Sequence, residues 1–335
     1  MNKLSVVILN YNGRGYLEQF LEEVVACSRP HEVVVVDNAS TDDSVEYVKT
    51  QVPEARLICF DQNYGFSGGY NEAIALIESE YIVLLNSDVQ VTPNWIEPVL
   101  AHMEAHPDMA AAQPKILDQK QPKLFEYAGG AGGYIDSLAY PFCRGRVFHT
   151  IEEDQQQYND TRDVFWASGS CLFVRRASYL EAGGLDEDFF AHMEEIDLCW
   201  RFWNLGYRVS ACPQSHIYHV GGGTLHKSQP RKTYLNFRNG LSLILKNDSL
   251  GKILWKIPLR MALDWLAAAH FSSHSGLKHG FAILKAHWHF TLSFGLHYKK
   301  RKHIKRLKTK NPRFRGLIIW QYFGLGKKRY SQLAD

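Results

Sequence analysis

Short apolar runs that stop abruptly at polar side chains restrict this chain's fold more than any other feature. "LSVVILN" (Leu4–Asn10), "HEVVVVD" (His31–Asp37), "ARLICF" (Ala55–Phe60) and "YIVLLN" (Tyr81–Asn86) follow one another with helical segments between them. Runs this short and rich in branched apolar residues read as strands, the first two as parallel strands buried on both faces. "GYLEQFLEEVVACS" sets Leu17, Phe20, Leu21, Val24 and Val25 at helical spacing. A second helix is expected after "NASTDDS", where Ser40 or Thr41 can cap and Asp42 and Asp43 lie near the positive helix end. "GGYNEAIALIES" is a third. Strand-helix alternation predicts an α/β fold, with ligands bound beyond the carboxyl ends of the strands. Four polar clusters gather on that rim: Asn10-Tyr11-Asn12, Asp37-Asn38, Asp61–Gly65 and Asn86-Ser87-Asp88.

The stretch 110–165 is less regular and is expected to form loops and short strands over the site. Beyond it, "GSCLFVRR" (Gly169–Arg176) reads as another buried strand, and "EEIDLCWRFWNLGYRV" (Glu194–Val209) as an amphipathic helix that stops at Gly206. Charge then divides the chain. Up to His226 there are 15 Lys+Arg against 32 Asp+Glu, and from Lys227 onward 23 against 3. In that basic tail Lys252, Lys256 and Arg260 fall on one helical face, with Ile253, Ile257, Met261 and Trp265 as the neighbouring apolar stripe. Leu277, Phe281, Leu284 and Trp288 repeat the pattern, followed by "KKRKHIKRLKTK" and the aromatics Trp320, Tyr322 and Phe323. Basic helices with aromatic anchors suit an anionic membrane surface. The aromatics favour that partner over nucleic acid, which is not expected. No uncharged apolar stretch is long enough to span a bilayer. Six scattered cysteines fit a reduced compartment, so the expected location is cytoplasmic, peripheral at the inner face of the cytoplasmic membrane.

Several residue clusters carry chemistry, each with a plainer reading beside it. Asp37 at a strand end can bind a ribose or base, or simply make a turn. Asp88, two residues after Asn86, can hold a hard cation against phosphate, or make an Asx turn before a helix capped by Thr92. Glu194, Glu195, Asp197 and Arg201 lie on one or two helical turns behind the aromatic-rich "DEDFFAHM". Adjacent carboxylates in a shielded pocket raise each other's pKa, as a general base requires; a solvated helix face is the alternative. His219 in "IYHVGGGT" becomes a metal ligand only if it meets Asp88, and His216 nearby is its decoy. "NYGFSGGYN" (Asn63–Asn71) can offer backbone N–H groups to phosphate, although it matches no standard glycine-rich loop.

Taken in order, "SVVILNYNG", "VVVVDNASTDDS", "NYGFSGGYNEAI", "VLLNSDV", "ASGSCLFVRR", "LDEDFFAHMEEIDLCWR" and "IYHVGGGT" resemble the family 2 glycosyltransferases, in their bacterial rhamnosyltransferase-like branch. The resemblance spans about residues 3–240 and implies a GT-A fold, a mostly parallel sheet flanked by helices. Residues 1–110 would form the nucleotide-sugar-binding half, 111–240 the acceptor-binding half, and 241–335 a basic helical extension. Tyr11 and Asp37 would meet the base and ribose, with Asn10, Asn63, Gly65, Asn71, Asn86 and Ser87 around the donor. Asp88 would hold a divalent metal, Mn²⁺ or Mg²⁺, with His219; Asn86 stands where the fully acidic motif has a second carboxylate. Glu195 would be the catalytic base, at a position usually Asp, with Glu194 as its alternate. Gly169, Ser170 and Arg238 would face acceptor or phosphate. The implied activity is inverting transfer of a sugar, rhamnose among the candidates, from a nucleotide-diphosphate sugar to a glycan or lipid-linked acceptor in cell-surface polysaccharide synthesis. A noncatalytic nucleotide-sugar-binding or assembly protein docked at the membrane is the alternative. A nucleotidyltransferase is weaker, for want of a glycine-rich N-terminal phosphate loop.

Overall fold

In the computed structural model, which describes residues 2–221, 229–304, 306–307 and 310–333, the apolar runs form the expected strands. β1 (Leu4–Asn10), β2 (Glu32–Asp37) and β3 (Arg56–Cys59) alternate with α1 (Arg14–Ser28), α2 (Ser44–Gln51) and α3 (Gly65–Ala75), and β4 (Tyr81–Leu85) follows. β1 pairs in parallel with β2 and β4, and β2 with β3. Successive side chains on a strand point to opposite faces, and on β1, β2 and β4 both faces are covered, whereas β3, at the sheet edge, is at most half-buried. Val6, Ile8, Val33, Val35 and Val83 share one core with Leu17 and Val48. Val7, Val34, Val36, Ile82 and Leu84 share another with Tyr70 and Ile74. Two cores on one sheet are why these strands show no polar alternation.

The other half of the sheet is mixed. After β5 (Val89–Gln90) and α4 (Glu97–Ala105) comes β6 (Met109–Asp118), a ten-residue strand where loops and short strands were expected. Its sequence, "MAAAQPKILD", is poor in β-branched residues; position between two other strands, not propensity, makes it a strand. The small antiparallel sheet of β7 (Gly133–Ile135), β8 (Pro141–Cys143), β9 (Arg146–Val147) and β10 (Thr150–Ile151) follows, then the short β11 (Arg162–Asp163). β12 (Cys171–Arg175) runs antiparallel between β4 and β6. α5 (Arg176–Glu181) and α6 (Glu194–Leu205) lead to β13 (Arg208–His219), which is parallel to β6. Gly206, at φ +93°, takes the left-handed turn that ends α6. The strand order is β11-β13-β6-β12-β4-β1-β2-β3, with β5 paired to β13. Because β12 is reversed, its amino end lies on the rim formed by the carboxyl ends of its neighbours. Gly169 and Ser170 therefore stand beside Asn86, whose N–H donates to the Ser170 carbonyl at 3.0 Å.

Two expected caps are corrected. α2 starts at Ser44, and Asp42 Oδ1 accepts from the Ser44 N–H (3.1 Å) and hydroxyl (2.5 Å). Ser40 is used instead between loops, accepting from the Asn12 N–H at 2.9 Å. Thr92 caps nothing: its hydroxyl donates to the His216 carbonyl at 2.7 Å, five residues before α4 begins at Glu97.

The carboxyl-terminal part is helical, with α7 (Pro230–Asn247), α8 (Leu250–His274) and α9 (Leu277–His303). α7 packs on α6 and α9, α8 packs on α9, and the expected boundary at 240–241 lies within α7. Of the basic face of α8, Lys252 is exposed but Lys256 and Arg260 are turned inward, against expectation. Lys256 pairs with Asp248 at 2.6 Å and Arg260 with Asp264 at 3.0 Å, all four buried. Helical spacing groups these cations on one face, and the two partner carboxylates decide that the face is the inner one. Tyr322 is also buried, its hydroxyl 2.8 Å from that of Thr150, while Trp320 and Phe323 stay exposed. All six cysteines are free.

Asp264 also accepts from the Tyr140 hydroxyl (3.0 Å) and lies 3.3 Å from His287 Nε2. Asp264→Ala would leave Arg260 buried without its counter-charge. It should cost about 3–5 kcal/mol in urea unfolding at neutral pH, whereas Leu266→Ala on the exposed face should stay within about 0.5 kcal/mol.

Candidate active site

The first two strand ends interlock. Asn10 Nδ2 donates to Asp37 Oδ1 and to Ser40 Oγ, both at 3.1 Å, and Asp37 Oδ2 accepts the Ser40 N–H at 2.9 Å. Both residues are buried, while Tyr11 between them is 52% exposed on the rim. Asn38 links the next loop: its amide donates to Asn63 Oδ1 and the Gly65 carbonyl (3.0 Å each), and its oxygen accepts the Tyr64 N–H at 2.9 Å. Asn63 Oδ1 in turn accepts the Gly65 N–H at 2.7 Å. Asn63 and Gly65 thus shape the start of α3. Asn71 turns elsewhere, bonding the Leu185 N–H and carbonyl (2.9 Å each) and the Tyr179 hydroxyl (2.7 Å), so it braces α3 against the loop before α6.

Asp88 and His219 do meet. His219, the last residue of β13, pairs with Val89 across the sheet, and its Nε2 lies 3.2 Å from Asp88 Oδ1. On the other side of the ring, Nδ1 lies 3.5 Å from Glu126 Oε1, whose second oxygen accepts the Ala128 N–H at 2.5 Å. Gly221, at φ +68°, keeps the chain close here, since a Cβ on it would lie 3.2 Å from Glu126 Oε1. Burial alone would lower His219, but the two carboxylates raise it to about 10. Burial likewise works against the Asp88 anion, and the histidine beside it holds Asp88 below its ordinary value. Among the described residues no cluster of three or more acids, histidines or cysteines is arranged for a metal.

Glu194 and Glu195 open α6, behind a loop in which Phe190, His192 and Met193 all take positive φ. That loop is clamped from α7. Asn239 Nδ2 donates to the carbonyls of Phe189 (3.0 Å), Ala191 (3.0 Å) and His192 (2.7 Å). Arg238 Nη2 donates to those of Asp188 (2.8 Å) and Phe189 (3.0 Å). Arg238 is thus engaged with the loop's backbone. Glu194 is buried and Glu195 partly exposed, and each keeps one oxygen without a hydrogen-bond partner among the described residues. A Cβ placed on Gly169 would lie 3.6 Å from Glu195 Cβ, which brings the start of α6 against the start of β12. Burial raises the Glu195 carboxyl to about 7, against nearby backbone N–H groups that favour its anion. Glu194 is pushed well above the carboxylate range by burial and by the charge of Glu195. Asp197 and Arg201 stand outside this pocket, in a pair at 2.9 Å.

A partly exposed carboxylate with a raised pKa, on the same rim as the polar ends of parallel strands, is a layout that suits group transfer. The family model for glycosyl transferase family 2 matches residues 5–181. The chain belongs to that family. An N-acetylglucosaminyl-diphospho-decaprenol L-rhamnosyltransferase of Mycobacterium tuberculosis is 29% identical over 82% of this chain and 94% of its own. Rhamnosyltransferase WbbL of Escherichia coli is 24% identical over 64% and 82%. S. aureus TarS in complex with UDP-GlcNAc superimposes with a TM-score of 0.57 at 16% identity, covering 94% of this chain and 99% of that one. GalNAc-T7 with UDP, GalNAc and Mn²⁺ gives 0.58 at 15%, covering 89% of this chain and 58% of that one. The fold is GT-A, and the protein is a rhamnosyltransferase-like glycosyltransferase.

The sequence places Asn38 on the rim with Asp37, and Asn239 beside Arg238 in "YLNFRNGL", but does not tell what either side chain bonds. Glu126, in "FEYAGG", carries no pattern at all. Asn239→Ala should free three carbonyls at the strained entry to α6. A shift of about 1 Å there should lower kcat by up to about 100-fold, with little change in donor affinity, measured by nucleoside-diphosphate release and by donor titration.

Proposed function

We propose that the enzyme moves a sugar, with rhamnose the first to test, from a nucleotide-diphosphate donor to a glycan or lipid-linked acceptor in cell-surface polysaccharide synthesis, inverting the anomeric carbon. Glu195 carries this reading: it is partly exposed, has an unpartnered oxygen, and titrates near 7. At neutral pH its anion takes the proton of an acceptor hydroxyl as that oxygen attacks the anomeric carbon and the bond to the nucleoside diphosphate breaks. Attack from the face opposite the leaving group accounts for inversion. Glu194, more buried and raised further, is protonated beside it.

Asp88 and His219 supply one hard oxygen and one imidazole nitrogen at adjoining strand ends. This set fits Mn²⁺ or Mg²⁺, which complete their shells with phosphate oxygens and water. Bound there, such an ion would neutralise the charge that develops on the departing diphosphate. The relatives' names favour rhamnose, and the decaprenol-linked acceptor of the M. tuberculosis relative favours a lipid diphosphate acceptor. That acceptor and the basic tail support a place at the inner face of the cytoplasmic membrane.

A donor screen by nucleoside-diphosphate release, with and without Mn²⁺ or Mg²⁺, tests the whole reading; donor binding without turnover on any acceptor would replace it with the noncatalytic one. Glu195→Gln should lower transfer by about 10²–10⁴-fold with donor binding intact; the same loss in Glu194→Gln alone would move the role to that neighbour. For the wild type, kcat/KM should rise with pH to a plateau above about 7, the value to which burial raises Glu195. The stability effect has the opposite sign. A carboxyl with a raised folded pKa destabilises the fold once it ionises, so Glu195→Gln should raise the thermal midpoint at pH 8, and the gain should vanish near pH 4. His219, protonated while no cation is bound, must lose that proton to ligate. Mn²⁺ affinity, followed by electron paramagnetic resonance, should therefore rise about tenfold per pH unit between about pH 6 and 9.

A further inference from the structure

The outer face of α8 and α9 carries large apolar side chains where a solvated helix pair carries charge. On α8, Leu254, Trp265 and Leu266 are 79%, 61% and 70% exposed; on α9, Phe281, Trp288 and Leu292 are 67%, 63% and 67%. Pro258 and Ala262 are exposed between these α8 residues and Ala269 just beyond them, so the stripe is continuous at three- and four-residue spacing. The charges lie behind it: Lys256, Arg260 and Asp264 are all buried and paired. The inner face sets these ions among Ile253, Ile257, Ile283 and Phe290, so the hairpin is apolar on the side away from the protein as well as on the side packed against it. A contiguous face of this kind marks a contact surface.

Charge around the face selects its occupant. Lys252, Lys278 and Lys285 are exposed along the two helices, and Asp264, their only acid, is fully buried. A second copy of this chain would set lysine against lysine. An anionic bilayer matches both parts, acyl chains to the stripe and headgroups to the lysines, with tryptophan at the boundary where its amphipathic ring is favoured. The helices run 25 and 27 residues, yet no helix among the described residues is long and apolar enough to cross a membrane. They would lie in its plane.

We propose that the α8–α9 hairpin embeds its outer apolar face in one leaflet of an anionic membrane, held by insertion more than by charge. This rests on the membrane placement proposed above and deepens it, because contact through the basic tail alone would be released by salt.

Co-sedimentation of the full chain with phosphatidylglycerol–phosphatidylcholine vesicles tests it. The wild type should stay bound at about 1 M NaCl, and brominated acyl chains should quench its tryptophan fluorescence. The variant Leu254→Ser/Trp265→Ser/Leu266→Ser should lose partitioning by on the order of 100-fold, with an unchanged circular dichroism spectrum and unchanged nucleoside-diphosphate release on a soluble acceptor. Trp288→Phe, which keeps the apolar surface, should still bind while losing part of the quenching. Binding that salt abolishes and the triple substitution leaves intact would overturn insertion and leave electrostatic contact standing. Absence of binding to any vesicle would overturn both. A lipid-free dimer that vesicles do not dissociate and the triple variant does would assign the face to a second copy.

Discussion

Lys246, buried on α7, donates to Asp186 ahead of the loop that leads into α6 and to Asp197 on α6, the latter at 2.9 Å. Asp197 is completed by Arg201 at 2.9 Å and Asn247 at 2.7 Å, and Asp186 by Lys300 at 2.6 Å. Burial opposes both anions, but the cations around them hold both below the ordinary carboxylate range. A buried cluster of this kind adds little over an apolar one, yet removing one member strands the others. Its importance lies in what it spans. Between Asp186 and Asp197 lie three non-glycine residues at positive φ and the two glutamates. Each such residue costs on the order of 1–3 kcal/mol and persists only where its surroundings over-determine it. Lys246 below and the Asn239 amide above supply that determination, so the position of Glu195 depends on a helix that begins 35 residues after it.

With the loop fixed, one rim holds two carboxylate sites of opposite character. Asp88 lies against a histidine that favours its anion; burial disfavours the anion of Glu195. Separating the pKa values of carboxyl groups on one rim lets one stay ionised while another exchanges protons near neutrality. The reversed strand β12 brings these environments together. Were it parallel to β4, Gly169 and Ser170 would sit at the opposite edge, and α6 would have no wall beside Asn86.

The first half of the fold was legible because β1, β2 and β4 are buried on both faces, which leaves unbroken apolar runs that few alternatives explain. The Asp88–His219 contact was legible only as a condition, since 131 residues separate them and the pairing of β13 with β5 brings them together. β6 was not legible: "MAAAQPKILD" becomes a strand through its neighbours, not its side chains. On α8, periodicity correctly grouped Lys256 with Arg260 and Ile253 with Ile257. It could not say which face was inside, because that depended on Asp248 and Asp264, carboxylates whose partners are set by tertiary packing. Glu126 was invisible for a similar reason, acting only through a histidine 93 residues away.

The same partnering recasts the charge division between body and tail. Lys246 and Lys300 reach Asp186, and Lys300 also reaches Asp188 at 2.5 Å, so part of the tail's positive charge neutralises the acidic body from within. Arg313 pairs with Asp248 at 3.5 Å and lies 4.0 Å from the centre of the Trp200 ring on α6. The extension is therefore not an appendage added to a finished catalytic unit; α7 and its followers complete the walls behind α6. Turning Lys256 and Arg260 inward to do so leaves large apolar residues on the outer side, with Lys252, Lys278 and Lys285 among them. The support of α6 and the apolar outer surface follow from a single choice of which way α8 and α9 face.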